Sequence, residues 1–175
     1  MNIRQAVPAD IPALRELVTR SAMVLSAPYY TPAQTEAIAL SVYGVDSELI
    51  DDGTFFLVEG ELGPVACGGW GKRRVNFGGD QAKSGPGPLL DPRTEPARIR
   101  AFFVDPSVAR RGLGRRLLDK SIAEAKVNGF SQAELVASLS GEPLYLSAGF
   151  TVMDRFDLAL PGGVLVPVAR MWRKI

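Results

Sequence analysis

The stretch IRAFFVDPSVARRGLGRRLL, residues 99–118, constrains this chain more than any other part of it. Residues 99–104 form an apolar run with strand character, and Asp105-Pro106 ends it. Proline has no N–H for a ladder and restricts the residue before it. From residue 113 the apolar positions Leu113, Leu117, Ile122 and Ala125 fall near one helical face, with Leu118 beside them. Arg115, Asp119 and Lys126 lie opposite, so residues 113–126 read as an amphipathic helix. Between strand and helix lie two arginines and two glycines. Gly112 and Gly114 lack Cβ atoms, so a ligand can approach the main chain. The N–H groups of residues 110–115 are largely unclaimed by the helix, whose dipole adds roughly half a positive charge there. Arg110, Arg111, Arg115 and Arg116 raise the local charge further. The sum is an anion site suited to a pyrophosphate.

That reading excludes its neighbours. A dinucleotide fingerprint needs Gly-x-Gly-x-x-Gly, and Leu117 fills the last glycine position. No acidic residue is fixed about 20 residues further on at a strand end. No Gly-Lys-Ser/Thr pair marks a nucleotide P-loop. The chain of 175 residues contains no histidine, which removes a Ser-His-Asp triad, a Cys-His pair and any histidine-ligated metal, and no metal site is expected. Its net charge of +1 gives no global field for nucleic acid. Cys67 is the only cysteine, so no intrachain disulfide forms. No apolar run approaches the ~18 residues of a membrane span, and residues 1–10 lack a signal-peptide stretch. These features together point to a cytoplasmic protein that binds no membrane.

The flanks read as a single domain, 1–175. Residues 2–6 suggest a first strand. Asp10 and Thr31 are helix N-caps for residues 11–22 and 33–42. Residues 54–59 and 65–70 form a hairpin about Gly60-Glu61-Leu62-Gly63. Residues 72–96 are a long Gly- and Pro-rich loop, of the kind that is functional or disordered. A strand at 133–138, a short helix at 142–148 stopped by Gly149, and a hairpin of 152–160 with 164–171 complete the chain. The order β-α-α-β-β-β-α-β-α-β-β means an α/β (α+β) architecture, a mixed sheet with helices on both faces.

Arg110-Arg111-Gly112-Leu113-Gly114, after a strand ending Val104-Asp105-Pro106, resembles the acetyl-CoA pyrophosphate loop of GNAT N-acetyltransferases, Gln/Arg-x-x-Gly-x-Gly/Ala. Ala109 stands at the first position, a departure. Leu144-Tyr145-Leu146-Ser147-Ala148-Gly149-Phe150 is similar to the family's Tyr-x-x-x-Gly-Phe segment. The resemblance is close over residues 98–150 and follows element order over 1–173. It implies a mostly antiparallel sheet of about seven strands, with the fourth and fifth splayed to admit pantetheine. Coenzyme A would contact Phe102, Phe103, Val104, Ala109, Arg110, Arg111, Gly112, Leu113, Gly114, Arg115, Ser138 and Tyr145. The implied reaction is direct attack of a primary amine, of a small molecule in preference to a peptide or protein, on the thioester, with a backbone N–H near Val104 stabilising the oxyanion. Tyr145 would protonate the departing thiolate.

The remaining candidates carry less. The family's strand-four glutamate is absent, since this strand holds Arg98 and Arg100. Glu59, Glu95, Asp105 and Glu142 are carboxylates that no spacing singles out as a base. The missing base keeps open a second reading, a non-catalytic acyl-CoA-binding or sensing module. Arg98 and Arg100 share a strand face and either pair with carboxylates of the 72–96 loop or bind an acidic substrate. The loop's own excess of basic residues supports an acceptor amine that also carries a carboxylate or phosphate. Tyr29, Tyr30, Trp70 and Arg100 are substrate-side candidates, the aromatics as a wall beneath that loop or as ordinary packing. Cys67 reads as a small core residue. A homodimer stays open.

Overall fold

The computed structural model describes every residue of the chain except Met1, Asn76 and Ser84. Seven strands form one sheet: β1 (Ile3–Gln5), β2 (Phe55–Gly60), β3 (Gly63–Gly71), β4 (Ala97–Val104), β5 (Gln132–Ser138), β6 (Thr151–Leu160) and β7 (Val164–Lys174). Their order is β1-β2-β3-β4-β5-β7-β6. Every neighbouring pair is antiparallel except β4 and β5. Helices α1 (Ile11–Leu25), α2 (Pro32–Ser41), α3 (Ser47–Asp51), α4 (Leu113–Val127) and α5 (Glu142–Ser147) complete the fold.

Central strands buried on both faces carry continuous apolar runs, because successive side chains point to opposite sides. In β2, Phe56 and Val58 join the core beneath α4, and Phe55 and Leu57 join the core beneath α1 and α3. Leu117, Leu118 and Ile122 fill the first core from α4; Leu14, Leu17 and Val18 fill the second from α1. A third cluster joins Tyr30 and Ile38 to Leu160, Val166 and Val168 of the β6–β7 hairpin. Leu117 is fully buried, so its truncation to alanine costs about 2–5 kcal/mol.

Thr31 caps α2 as the sequence indicates. Its Oγ1 accepts from Gln34 N–H at 3.2 Å, and Gln34 Oε1 accepts from Thr31 N–H at 3.0 Å. Asp10 does something else. Its carboxylate reaches back to Val7 N–H at 2.9 Å and forms a bidentate pair with Arg4, at 2.7 and 2.8 Å. Arg4 holds the Asp10 carboxyl below its ordinary range.

Two features depart from the sequence reading. Helix α3 was not foreseen, although Asp46 and Glu48 are a normal acidic helix start. The 72–96 segment is also not structureless. It contains a helical turn at Asp80–Ala82 and a β-bridge between Arg73 and Leu89. It is tied to the α2–α3 region by Gly79 N–H to Val42 O at 2.9 Å and by Asp80 N–H to Val45 O at 3.0 Å. Asp80 Oδ1 also accepts from both Ser47 N–H and Ser47 Oγ at 2.9 Å, capping α3 from across the fold.

Candidate functional site

Strands β4 and β5 pair only at Ala97–Ala133 and Arg98–Glu134, then separate. The parting is built into β4. Between Cys67 and Gly69 of β3 the register slips, so that Ala101 and Phe102 together oppose Gly68. Ala101 sits at φ 59°, the left-handed conformation of a β-bulge. A Cβ on Gly68 would lie 2.7 Å from the Phe102 ring, so glycine leaves that ring its place. Past the bulge, residues 100–104 and 135–138 face each other across a gap with backbone groups unpaired between them.

The loop at the end of β4 follows from local chemistry. Asp105 Oδ1 accepts from Ser107 N–H at 2.9 Å and Ser107 Oγ at 2.6 Å, closing the turn after the strand. Arg20 of α1 holds the same carboxylate at 3.1 Å. Arg110 and Gly112 both take positive φ, 64° and 80°, which folds the loop over the start of α4. The first backbone bond into α4 runs from Arg116 N–H to Gly112 O at 3.0 Å. The amides of Leu113, Gly114 and Arg115 therefore have no partner inside the helix. Gly112 is required for its conformation, since a Cβ there meets nothing within 4 Å. Gly114 is required for closeness, since its Cβ would lie 3.2 Å from Leu144. Arg110 and Arg111 are exposed and form no ion pair among the described residues. Arg115 is less available: Asp119 pairs with it at 2.9 Å and Ser147 O accepts from it at 3.2 Å. Leu113 contributes its amide only, because its side chain is buried in the core.

The gap opens into a cavity of about 230 Å³ that runs from Gly114 and Leu144 to Leu158 and Val166. Phe102, Phe103, Val104, Ser138 and Tyr145 all border it, so the strand and helix residues expected at the cofactor meet in one place. Tyr145 is held by edge contacts with Phe102 and Phe150, at ring separations of 6.2 and 5.9 Å. Its hydroxyl makes no hydrogen bond among the described residues, and burial pushes its pKa above the ordinary phenol value. Ser138 Oγ lies 3.0 Å from Ser140 Oγ and accepts from Gly141 N–H at 3.2 Å.

One expected backbone donor is already engaged. Val104 N–H donates to Ser21 Oγ at 3.2 Å. Ser21 is buried on α1, where its hydroxyl needs a partner, and the end of β4 supplies one.

The substrate-side candidates separate. Tyr30 does line the cavity, but its hydroxyl donates to Pro167 O at 2.9 Å and accepts from Leu139 N–H at 2.8 Å. It bridges β7 to the segment after β5, and burial pushes its pKa up to about 12. Tyr29 points to solvent and does not border the cavity. Trp70 lies on the opposite sheet face, fully buried against Phe130 at 5.7 Å, so it forms no wall for substrate. The alternation along β3 decides this, since one residue's shift would reverse it.

Arg100 borders the cavity but is not a free anion receptor. It is buried, contacts Asp46 and Glu48 in ion pairs, and donates to Gly78 O at 2.7 Å. Lys83 joins the same two carboxylates, and Arg98 pairs with Glu134 at 3.1 Å. The carboxylates that pair with Arg98 and Arg100 thus come from β5, α3 and the residue before α3, while the 72–96 loop gives Arg100 only the Gly78 carbonyl. The loop's cations are likewise spent. Arg73 and Lys72 pair with Asp52, Arg74 with Glu95, and Arg93 with Asp91. The expected excess of positive charge at the acceptor side is therefore neutralised.

Each carboxylate considered as a base is also engaged: Glu59 with Arg4, Glu95 with Arg74, Asp105 with Arg20 and Glu142 with Arg155. Cys67 is fully buried and its thiol is pushed up to about 12, as a core residue's should be. The sequence reading missed Tyr43, whose hydroxyl faces Ser26, Ser138 and Ser140 in the cavity. No motif marks it. Its ring packs edge-on against Phe103 at 5.2 Å.

Residues 90–156 match the family model for the acetyltransferase (GNAT) domain. No curated protein matches the chain in sequence. Among solved structures, the fold is similar to that of a GCN5-related N-acetyltransferase from Rhodopseudomonas palustris, at TM-score 0.72 and 18% identity over 99% of this chain and 95% of that one. It is also similar to a ribosomal-protein-alanine N-acetyltransferase from Brucella melitensis, at TM-score 0.68 and 17% identity over 100% of both chains. A third is the PaiA N-acetyltransferase from Thermoplasma acidophilum in complex with coenzyme A, at TM-score 0.65 and 14% identity over 99% and 98%. Identities this low speak for the fold alone. The family match covers most of β4, its bulge, the loop, α4 and α5, and no helix among the described residues is long and apolar enough to cross a membrane. Residues 90–156 are thus similar in sequence to GNAT acetyltransferases, and the whole chain shares their fold.

Proposed function

We propose that this protein is an acetyl-CoA-dependent N-acetyltransferase acting on a primary amine of a small molecule. The observation that supports it most is the join between the splayed strands and the loop: unpaired backbone on β4 and β5 leads directly to the unpartnered amides of Leu113, Gly114 and Arg115. Those amides and the exposed Arg110 and Arg111 suit a pyrophosphate. The edge of β4 at residues 102–103, before the Val104 N–H that Ser21 holds, suits the amide-bearing pantetheine arm, which can add to it like a strand. Acetyl-CoA supplies the activated acyl thioester. Tyr145 sits where the two strands diverge, with a neutral hydroxyl free to donate a proton to the leaving sulfur. Phe102 and Phe150 fix its ring, so the hydroxyl is positioned before substrate arrives.

Release of free thiol from acetyl-CoA across a panel of amines tests this reading. Tyr145→Phe should lower kcat by roughly 10²- to 10⁴-fold and leave acetyl-CoA affinity nearly unchanged. Tight acetyl-CoA binding with no thiol release from any amine would identify a binding module instead. The Tyr145 hydroxyl argues against that second reading, because it borders the cavity and no group of the described residues engages it.

A further inference from the structure

We infer that the acceptor is an apolar amine already uncharged at neutral pH, of the aromatic-amine class, an inference that rests on the transferase reading above. The acceptor end of the cavity is walled by Leu25, Ile38, Val42, Phe77, Leu158 and Val166. No aspartate, glutamate, lysine or histidine borders it among the described residues. Its single charged neighbour is Arg100, whose charge is met by Asp46 and Glu48. The polar groups that do face inward are hydroxyls: Tyr43 with Ser26, Ser138 and Ser140, and the separate Tyr145.

That lining discriminates by protonation state. An alkylamine is an ammonium at neutral pH, with a neutral fraction of roughly one in a thousand. Entering this cavity, it would give up hydration with no carboxylate to meet its charge. It would also have to lose a proton before reacting, and no carboxylate lines the cavity among the described residues to take it. An aromatic amine has a conjugate acid of about carboxylic-acid strength, so it enters neutral. Its ring suits the apolar wall, and a cavity of roughly 150 Å³ is already enough for benzene.

The proton balance then closes without an added base. The nitrogen lone pair forms the N–C bond to the thioester carbonyl carbon, and the C–S bond breaks with its electron pair on sulfur. Sulfur gains one proton from the Tyr145 hydroxyl. Nitrogen loses one, which restores Tyr145. An alkylammonium would release a second proton, for which the lining offers no acceptor.

The test is thiol release from acetyl-CoA by the full chain with aniline and naphthylamine, against cyclohexylamine and the ring-saturated naphthylamine, from pH 6 to 9. We expect kcat/KM at pH 7 at least about 10-fold higher for the aromatic amines and flat across the range. For the saturated amines it should rise about tenfold per pH unit, following their neutral fraction. Leu158→Asp places a carboxylate in the half-exposed outer wall and should raise saturated-amine activity about 10-fold at pH 7. Leu158→Asn removes the same packing without the charge and should stay selective for aromatic amines. Preference for the saturated amines in the wild type, or an unchanged preference in Leu158→Asp, overturns the inference and leaves the transferase reading standing. Silence towards all four amines overturns the inference, and the transferase reading falls with it only if the wider amine panel also releases no thiol.

Discussion

Two pairs of arginines, equally conspicuous in the sequence, meet opposite fates. Arg110 and Arg111 stand exposed beside a helix start whose amides are unclaimed, with no carboxylate in reach among the described residues. Arg98 and Arg100 are turned inward, Arg98 onto Glu134 and Arg100 onto Asp46 and Glu48. The first pair has its charge left over, as the proposed pyrophosphate site requires. The second pair is a fastener, because its charge is consumed. Arg100 and Lys83 together anchor α3 to β4 and to the 72–96 segment, which places Phe77 and Gly78 at the cavity wall. Local excess of basic residues therefore says little about anion binding until every nearby carboxylate is located.

The sharpest way to break this contrast is to remove one arginine from each pair. Arg100→Met leaves two carboxylates buried in place of one balanced cluster, and removing one partner of a buried pair typically costs about 3–5 kcal/mol. Lys83 remains beside Asp46, so the lower end of that range is expected. Denaturant unfolding measures it. Arg110→Ala should leave stability within about 0.5 kcal/mol and weaken acetyl-CoA binding in a salt-dependent way. If Arg100→Met keeps wild-type stability, the two pairs do not differ as described.

Next in size is Gly112→Asp. It imposes a side chain on a residue at φ 80° and adds a negative charge at the helix start. Acetyl-CoA affinity should fall about 100-fold, or about 2.7 kcal/mol, by calorimetry on folded protein. Stability should fall much less, because a Cβ there meets no neighbour within 4 Å.

The smallest expected effect is on the fastener's outer edge. Burial would raise the Asp52 carboxyl, but hydrogen bonds from Arg73 and the nearby Lys72 charge outweigh it and hold the group below the ordinary carboxylate range. A carboxylate with a depressed folded pKa contributes stability above its unfolded value, and that contribution is lost as pH falls through the folded one. The Asp52–Arg73 pair should thus hold at neutral pH and loosen only below about pH 4. Amide exchange of Arg74 and Leu90, which close the backbone ladder around that pair, should accelerate in acid ahead of the α4 core.

The strand–loop–helix segment was legible in the sequence because its parts are contiguous. Strand end, Asp-Pro turn, left-handed glycine and amphipathic helix lie within residues 99–118, and each acts on backbone groups a few positions away. Tyr145 was legible through its motif. The bulge at Ala101 was not, since a positive φ at alanine has no sequence mark and arises from pairing against Gly68. Trp70 was misplaced for the related reason that a strand's two faces look alike until its register is known.

The acceptor side is the reverse case. Tyr43, Ser26, Ser138, Ile38, Leu158 and Val166 come from four separate parts of the chain and share no spacing. The sequence by itself marked the strands, the longer helices, the glycine-rich loop before α4 and the absence of histidine, because propensity, capping and charge act over a few residues. Only the tertiary structure decided which arginines are spent, which hydroxyls converge and that the acceptor wall is apolar. Those outcomes depend on which side chains, distant in the chain, come to lie within a few ångströms of one another.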